Sequence, residues 1–178
     1  MALKRIQMAG FGGQGILLMG KLIALAAMYD DKEVTWMPAY GPEMRGGTAN
    51  CTVCIDDKTI TSPYVTKYET LVAMNEPSLR KFEGMLVPGG DLFINSSLIK
   101  VKPERTDINI HYVDSTGIAE EKFGTSKVAS MIMLGAILKI THFSTMETME
   151  KVLKETMTGS KAKTIPMNME ALNAWSKE

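Results

Sequence analysis

The sequence predicts an α/β fold in which helices cover a mainly parallel β-sheet, with an antiparallel hairpin inserted early and a helical C-terminal part. Three observations predict this fold. Short β-rich segments alternate with helical ones before Asp114, a glycine cluster joins the first strand to the first helix, and helical patterns dominate after Asp114. A length of 178 residues suits one layered domain with its own core.

The first half of the chain supplies the hairpin. We expect a strand at 3–9, a helix at 16–29 and a strand at 34–37, and then a β-rich segment at 48–55 that turns back into 59–61 as a hairpin. The 16–29 helix is apolar almost all round, with Lys21 as its main charge. Such a helix is usually buried on more than one side, so we expect it to pack on the sheet and beneath another layer or chain.

The second half continues the sheet and then becomes helical. We expect strands at 70–74, 92–94 and 108–113, a turn at 88–91, and helices at 77–82, 116–123, 127–140, 144–157 and 167–175. The polar and basic segment 159–166 is typical of a linker before the last helix. The prediction is a single domain over 1–178, with a core of about 3–157 and a helical tail of about 160–178.

Composition excludes several classes of protein. Twenty Lys and Arg balance twenty Asp and Glu, so the basic excess that drives nucleic-acid binding is absent. The apolar run 128–140 is shorter than the roughly 20 residues that span a bilayer, and no signal-peptide pattern precedes the first strand. We therefore expect a cytoplasmic protein. Fifteen methionines, among them Met19, Met28, Met131 and Met133, suggest either buried subunit contacts with little exposure to oxidants or only a compositional habit of the genome.

A glycine motif links the first predicted strand to the first predicted helix. The segment Gly10-Phe-Gly-Gly-Gln-Gly15 satisfies G-x-G-x-x-G, which permits a tight turn and a close approach of the backbone. Amides at a helix N-terminus also attract an anion. Three interpretations stay open: a dinucleotide site, a site for another phosphate-bearing ligand or a partner chain, and a purely structural crossing of helix and strand.

The dinucleotide interpretation can be tested in the sequence itself. It requires an acidic residue at the C-terminal end of the second strand, where the ribose would lie. The candidates Asp30, Asp31 and Glu33 precede that strand, which ends in Met37-Pro38. The acidic residues are at the wrong end, so the pattern disfavours NAD.

A second loop, at 38–47, contains five glycines and prolines in ten residues. Arg45 could bind a carboxylate or phosphate, Tyr40 could donate a hydrogen bond, and Glu43 could orient Arg45. The alternative is an internal salt bridge between Glu43 and Arg45 in a structural turn.

The sequence offers no complete catalytic or metal-binding set. Cys51 and Cys54 are three residues apart on a predicted strand, so their side chains point to opposite faces. His111 and His142 are isolated, whereas zinc and iron–sulfur sites need about four ligands. We predict neither catalytic residues nor a metal site, which favours a subunit over a complete enzyme.

Four segments resemble the gamma subunit of 2-oxoacid:ferredoxin oxidoreductases. They are 10–15, 40–47, 71–75 and 126–135, and the resemblance covers about residues 3–157. It implies a Rossmann-like domain in an enzyme that decarboxylates a 2-oxoacid, reduces ferredoxin and forms acyl-CoA. Thiamine diphosphate, Mg and iron–sulfur clusters would belong to partner subunits, with CoA as co-substrate. Alpha and beta subunits, and a ferredoxin-like delta subunit as a further candidate, are the implied partners.

The resemblance also implies which residues contact a ligand or a partner. The glycine loop would donate backbone amides to a CoA phosphate or a neighbouring subunit, and the second loop would face the thiamine-bearing subunits. The candidates are Gly10, Gly12, Gly13, Gln14, Gly15, Tyr40, Gly41, Glu43, Arg45, Gly46, Gly47 and Asn75. The likeness favours 2-oxoglutarate over pyruvate. The alternatives are a free-standing NAD- or nucleotide-binding enzyme and a non-catalytic scaffold subunit.

Overall fold

A six-stranded sheet organises the fold. The computed structural model describes residues 3–40 and 47–176, with the backbone alone at Tyr40. The strands lie in the order β2-β3-β1-β4-β5-β6 and are β1 (Lys4–Phe11), β2 (Glu33–Tyr40), β3 (Thr48–Asp56), β4 (Tyr68–Ala73), β5 (Leu86–Asn95) and β6 (Asn109–Val113). Neighbours among β1, β4, β5 and β6 are parallel, and β3 is antiparallel to β1 and β2. The predicted α/β class is therefore confirmed.

In the part of the chain that the structure describes, six α-helices surround the sheet, and the sequence predicts all six to within three residues at each end. They are α1 (Ile16–Tyr29), α2 (Glu76–Phe82), α3 (Ser115–Phe123), α4 (Ala129–Thr141), α5 (Met146–Thr156) and α6 (Ile165–Asn173). A short 3₁₀ helix at Ser126–Val128 leads into α4. The longest of these helices, α1, has 14 residues, and in the described part of the chain none has the length and apolarity needed to cross a membrane.

The alternation of side chains along the strands divides the core into two parts. Ile6 and Met8 of β1 belong to the larger cluster, which α1 and α4 cover. The side chain of Ala9 points to the other face of the sheet, where it packs with Leu79 and Phe82 of α2. Helices α1 and α2 thus lie on opposite faces of the sheet, on either side of β1.

The apolar surfaces of α1 and α4 are covered by the chain itself. Every residue of α4 from Ala129 to Leu138 is buried, because α1, α3, α6 and β5 all contact this helix. Met19, Met131 and Met133 are at most 1% exposed, whereas Met28 is 58% exposed. The expectation of subunit contacts at the first three methionines is therefore wrong, since a second helical layer of the same chain covers them.

The predicted hairpin between 48–55 and 59–61 does not form, because 48–55 pairs with other strands. Segment 59–61 is not a strand. Instead β3 pairs with β2 from Glu33 opposite Asp56 to Tyr40 opposite Ala49, and with β1 along its other edge. Because both edges of β3 are occupied by eight-residue partners, the three-residue segment has no edge to pair with. The antiparallel hairpin of the fold is β2–β3.

The predicted turn at 88–91 lies inside β5. The pairing with β4 passes from Tyr68 opposite Leu86 to Thr70 opposite Asp91, so β5 contains extra residues at this point. Gly89 has a φ of 73° there, and its N–H donates to Asp107 O over 2.7 Å. The glycines mark a β-bulge rather than the end of a strand.

The last helix packs on the body of the domain. The segment predicted as a linker, 159–166, forms a 3₁₀ helix at Gly159–Thr164 and the first turn of α6, which has Pro166 near its start. Gly135 of α4 lies directly against the backbone carbonyl of Leu172. The Lys139 ammonium donates to Trp175 O over 2.5 Å. These contacts fix α6 against α4.

Candidate functional site

The chain reverses its direction across the sheet at β1, and this reversal places the candidate site. After β1 the chain passes to β2 and β3 on one side, and then to β4 on the other side of β1. In open α/β sheets the crevice beyond the C-terminal ends of strands at such a switch point is the usual ligand site. The glycine loop follows β1 and Asn75 follows β4, so both border this crevice.

The glycine loop is a closed turn that ends at the start of α1. Gln14 N donates to Phe11 O over 3.1 Å, and Gly12 N donates to Gly47 O over 2.8 Å. Gly15 precedes α1 with a φ of 75°, which favours glycine. The start of α1 has no side-chain cap and no acidic residue in its first turn. A helix start of this kind is suited to an anion.

Packing explains why two positions of the loop are glycine, but it does not explain the third. A Cβ on Gly10 would lie 2.6 Å from Gln14 Oε1 and 2.9 Å from Met74 Cβ. A Cβ on Gly15 would lie 2.5 Å from Ser130 Oγ. Gly13 has a φ of 98°, and no atom of the described residues lies within 4 Å of the Cβ position there. The described residues therefore leave the backbone of the loop uncovered at Gly13.

The side chain of Gln14 is used inside the protein. Its Oε1 accepts from Phe11 N over 2.7 Å, and its Nε2 donates to Met74 O over 3.1 Å. The carboxamide thus connects the start of the glycine loop to the end of β4.

Asn75 has one structural contact and one polar atom without a partner. Its Oδ1 accepts from Ser78 N over 2.9 Å and caps α2. Among residues 3–40 and 47–176 its Nδ2 has no hydrogen-bond partner, although the residue is only 5% exposed. A buried donor that is left unpaired is costly, so this group is a candidate for an acceptor that the described residues do not supply.

The structure brings one end of the second loop to the glycine loop. Tyr40 ends β2 opposite Ala49, and the Gly47 carbonyl accepts from Gly12 N. The remaining candidates in this loop lie outside the described residues: Gly41, Glu43, Arg45 and Gly46. The interpretations of Glu43 and Arg45 therefore stay predictions.

Ser130 borders the site but was not predicted from the sequence. It is the second residue of α4, is 4% exposed, and points its Oγ at Gly15. Segment 126–135 carried the family resemblance, yet no local pattern distinguishes this serine from the rest of an apolar helix. Its position depends on a contact between segments that are far apart in the chain.

The cysteines are buried apart from each other. Cys51 Sγ lies 3.5 Å from Ile16 O beneath α1, and Cys54 faces Arg5 on the opposite side of the sheet, as the spacing predicted. Burial raises the pKa of the Cys51 thiol to about 12, and burial also raises the pKa of Cys54. Both thiols stay protonated at neutral pH, which makes them poor nucleophiles and metal ligands.

Metal ligands and histidines do not gather at the crevice. Across residues 3–40 and 47–176, no group of three or more His, Cys, Asp and Glu side chains could hold a metal ion. His111 Nε2 lies 2.8 Å from Asp91 Oδ1 on neighbouring strands, and His142 ends α4. The described residues therefore do not supply the four thiolates that hold an iron–sulfur cluster.

The geometry disfavours a dinucleotide site. β2 is separated from β1 by the antiparallel β3, so its C-terminal end is one strand removed from the position that the ribose carboxylate occupies in dinucleotide-binding folds. Asp30 is engaged elsewhere, because its carboxylate accepts from Ser144 Oγ over 2.6 Å and from Thr148 Oγ1 over 2.8 Å. Glu33 lies at the start of β2.

Known proteins are similar to this chain in both sequence and fold. The family model described as pyruvate ferredoxin/flavodoxin oxidoreductase matches residues 5–176. The 2-oxoglutarate synthase subunit KorC of Methanocaldococcus jannaschii is 35% identical over 156 residues, which cover 86% of this chain and 83% of that protein. The ketoisovalerate oxidoreductase subunit VorA of Methanothermobacter thermautotrophicus is 37% identical over 98% of this chain, which corresponds to 36% of VorA.

A solved structure extends the similarity to three dimensions. The gamma subunit of a keto/oxoacid ferredoxin oxidoreductase from Geobacter sulfurreducens superimposes with a TM-score of 0.82 at 27% sequence identity. The match covers 96% of this chain and 95% of that one.

Proposed function

Because this chain belongs to the pyruvate ferredoxin/flavodoxin oxidoreductase family, as a gamma-type subunit of a 2-oxoacid:ferredoxin oxidoreductase, we propose that its switch-point crevice serves the CoA half of the reaction. The complete enzyme would decarboxylate a 2-oxoacid, transfer two electrons to ferredoxin and join the acyl group to CoA. When bound in partner subunits, thiamine diphosphate, Mg and iron–sulfur clusters supply the carbanion and redox chemistry. This chain supplies binding and positioning, and we expect it to be inactive alone.

The observation that carries the proposal is the exposed backbone at Gly13, directly before a helix start without a cap or an acidic residue. CoA bears phosphates, and backbone amides at a helix N-terminus bind phosphate without a charged side chain. The ligand would lie against Gly13 and Gly15, with the Asn75 amide and the Ser130 hydroxyl at the borders of the crevice.

The second loop is proposed to face the thiamine-bearing subunits. The second loop begins at Tyr40, where β2 ends, and at its other end Gly47 O accepts from Gly12 N of the glycine loop. Glu43 and Arg45 lie between these two points in the sequence. We expect Arg45→Ala to raise the CoA KM or to weaken subunit association in the reconstituted enzyme. Unchanged CoA affinity, turnover and association would overturn this role.

Alpha and beta subunits are the proposed partners, with a ferredoxin-like delta subunit as a further component and ferredoxin as the electron acceptor. The names of the relatives support this, because both KorC and VorA are called subunits. Purification of the native complex, followed by identification of its chains, tests the proposal.

We propose 2-oxoglutarate as the substrate. Support comes from the name of KorC, a relative of similar length. The test is reduction of ferredoxin or a viologen by the native complex, with CoA and with 2-oxoglutarate, pyruvate or ketoisovalerate in turn. The highest kcat/KM with 2-oxoglutarate supports the assignment, and the highest value with either other acid overturns it.

Two rival functions make different predictions. A free-standing NAD enzyme would bind NAD saturably as an isolated chain in calorimetry, whereas we expect no binding heat. A scaffold subunit would lose assembly when the glycine loop is substituted, but the surviving complex would keep the wild-type CoA KM. We expect that KM to rise.

The same proposal includes a cytoplasmic location and one domain over residues 1–178. Free thiols at Cys51 and Cys54 suit a reducing compartment. The packing of Leu172 and Trp175 into the larger core cluster joins the predicted tail to the core. Cell fractionation and limited proteolysis test the two statements.

A further inference from the structure

We propose that Gln14 is a positioning residue, which holds the crevice between β1 and β4 open and acts on its occupant through the glycine loop. This role deepens the function proposed above and rests on it for the identity of the occupant. The family resemblance implied that Gln14 contacts a ligand or partner through its backbone amide. The geometry points to a different role.

The hydrogen-bond ladder between β1 and β4 carries the inference. The strands are parallel, with Ile6 opposite Thr70 and Ala9 opposite Ala73. The last direct bond runs from Met74 N to Ala9 O over 2.9 Å. In a parallel ladder with this register, the next bond would run from Phe11 N to Met74 O.

The side chain of Gln14 stands in place of that bond. Phe11 N donates to Gln14 Oε1 over 2.7 Å, and Gln14 Nε2 donates to Met74 O over 3.1 Å. The carboxamide satisfies the two backbone groups that would otherwise bond to each other. The direct pairing of β1 and β4 ends at Ala9 and Ala73, and beyond that pair the amide of Gln14 connects the two strands.

Gly10 provides the space for this arrangement. A Cβ at Gly10 would lie 2.6 Å from Gln14 Oε1, closer than real Cβ contacts come. The first glycine of the motif therefore has a specific partner, the carboxamide four residues later. The Gly10–Gln14 pair lies between the strands, and Gly13 follows β1 whereas Asn75 follows β4.

Gln14 is also poorly suited to direct contact with the occupant. Its oxygen and one of its amide hydrogens are already engaged with the backbone. Turning the carboxamide toward a ligand would break both hydrogen bonds and leave Phe11 N and Met74 O without these partners. Positioning is therefore the role that the hydrogen bonds support.

Gln14→Glu in the reconstituted complex tests the proposal. At pH 8 the carboxylate accepts from Phe11 N but cannot donate to Met74 O, so two acceptors face each other. A protonated carboxyl group has both a donor and an acceptor and restores the amide pattern. We expect the CoA KM to rise about tenfold at pH 8 and to return toward the wild-type value as the pH falls to 5.5, with kcat at saturating CoA unchanged.

Gln7→Glu is the matched control. Gln7 lies on the same strand, and its Nε2 donates to Asn50 Oδ1 over 3.1 Å, but this bond belongs to the β3 side of β1. We expect this variant to lose unfolding free energy without a pH-dependent change in the CoA KM. Thermal unfolding of both complexes at each pH separates loss of folding from loss of positioning.

Three results would overturn the positioning role: a wild-type CoA KM in Gln14→Glu at both pH values, a rise that does not depend on pH, or a fall in kcat alone. Failure of the proposed function is a separate outcome, in which the wild-type complex shows no CoA-dependent oxidation of any 2-oxoacid. Hydrogen exchange at the Phe11 and Met74 region of Gln14→Glu still tests the bridge in that case. Protection that does not change between pH 8 and pH 5.5 would overturn it.

Discussion

At the residue scale, burial decides the chemistry of Cys51. The thiol lies under α1 beside Gly20 and Trp36, and burial raises its pKa from an ordinary value of 9.0 to about 12. The folded chain therefore holds this proton more tightly than the unfolded chain. The resulting stabilisation is complete below pH 9 and is lost as the pH rises through 12.

This linkage predicts a pH effect on stability. Between pH 7 and pH 10, wild type should lose about 1.4 kcal/mol more unfolding free energy than Cys51→Ala, since that variant lacks the thiol. Urea denaturation of both chains at the two pH values measures the difference. An equal loss in both chains would show that Cys51 ionises as readily when folded as when unfolded.

Residues of the candidate site differ in how far the sequence predicts them. The glycine loop was predictable because its pattern is local, six residues between a strand and a helix. The bonds from Gln14 to Met74 and from Gly12 to Gly47, and the position of Ser130, were not. Each of these contacts joins segments that are distant in the chain, and no pattern in a single sequence specifies such pairs.

At the element scale, the start of α5 depends on a side-chain cap. Thr145 Oγ1 accepts from Thr148 N over 3.1 Å. We expect Thr145→Ala to lower the unfolding free energy by about 1 kcal/mol, because the backbone donor loses its partner.

Thr158 precedes the 3₁₀ helix without a side-chain cap and provides the control. Thr158→Ala should stay within about 0.5 kcal/mol of wild type in the same denaturant titration, and an equal effect of both variants would contradict the cap.

The close contact between α4 and α6 predicts whether Gly135→Ala raises or lowers the unfolding free energy. In an exposed helix, Gly→Ala stabilises by about 1 kcal/mol. At Gly135 the new Cβ would meet the backbone carbonyl of Leu172, which cannot turn away as a side chain can. We expect Gly135→Ala to destabilise the chain by about 1–3 kcal/mol.

Gly84→Ala is the control for this substitution, because no atom lies within 4 Å of its Cβ position. It should change the unfolding free energy by less than about 0.5 kcal/mol. Stabilisation by Gly135→Ala in urea denaturation would mean that α6 does not pack closely on α4.

Helices were easier to predict than strand pairing. The bounds of α1 follow from a local apolar pattern, and the structure reproduces them. The partner of β3 depends on competition among distant segments, so the pairing with 59–61 was wrong. Gly89 and Gly90 correctly indicate an irregular backbone, but only the ladder with β4 shows that the strand continues through it.

At the scale of the whole molecule, the two apolar helices α1 and α4 pack inside the domain, whereas the sequence suggested that they contact other subunits. α1 and α4 carry more apolar surface than a sheet alone would cover, and that surplus is covered by α3, α5 and α6. The exposed apolar side chains that remain on α1 are Leu18, Met28 and Tyr29. The chain therefore folds as a layered body whose candidate site residues border the switch point.

The most direct test is CoA-dependent ferredoxin reduction by alpha and beta subunits, reconstituted with and without this chain. We expect 2-oxoacid oxidation to saturate with CoA only when the chain is present. Replacing it with the Gly13→Val variant should raise the CoA KM at least tenfold, because a β-branched residue disfavours a φ of 98° and blocks the exposed backbone. Full CoA-dependent turnover by alpha and beta alone, with the same CoA KM, would contradict the role assigned to this subunit.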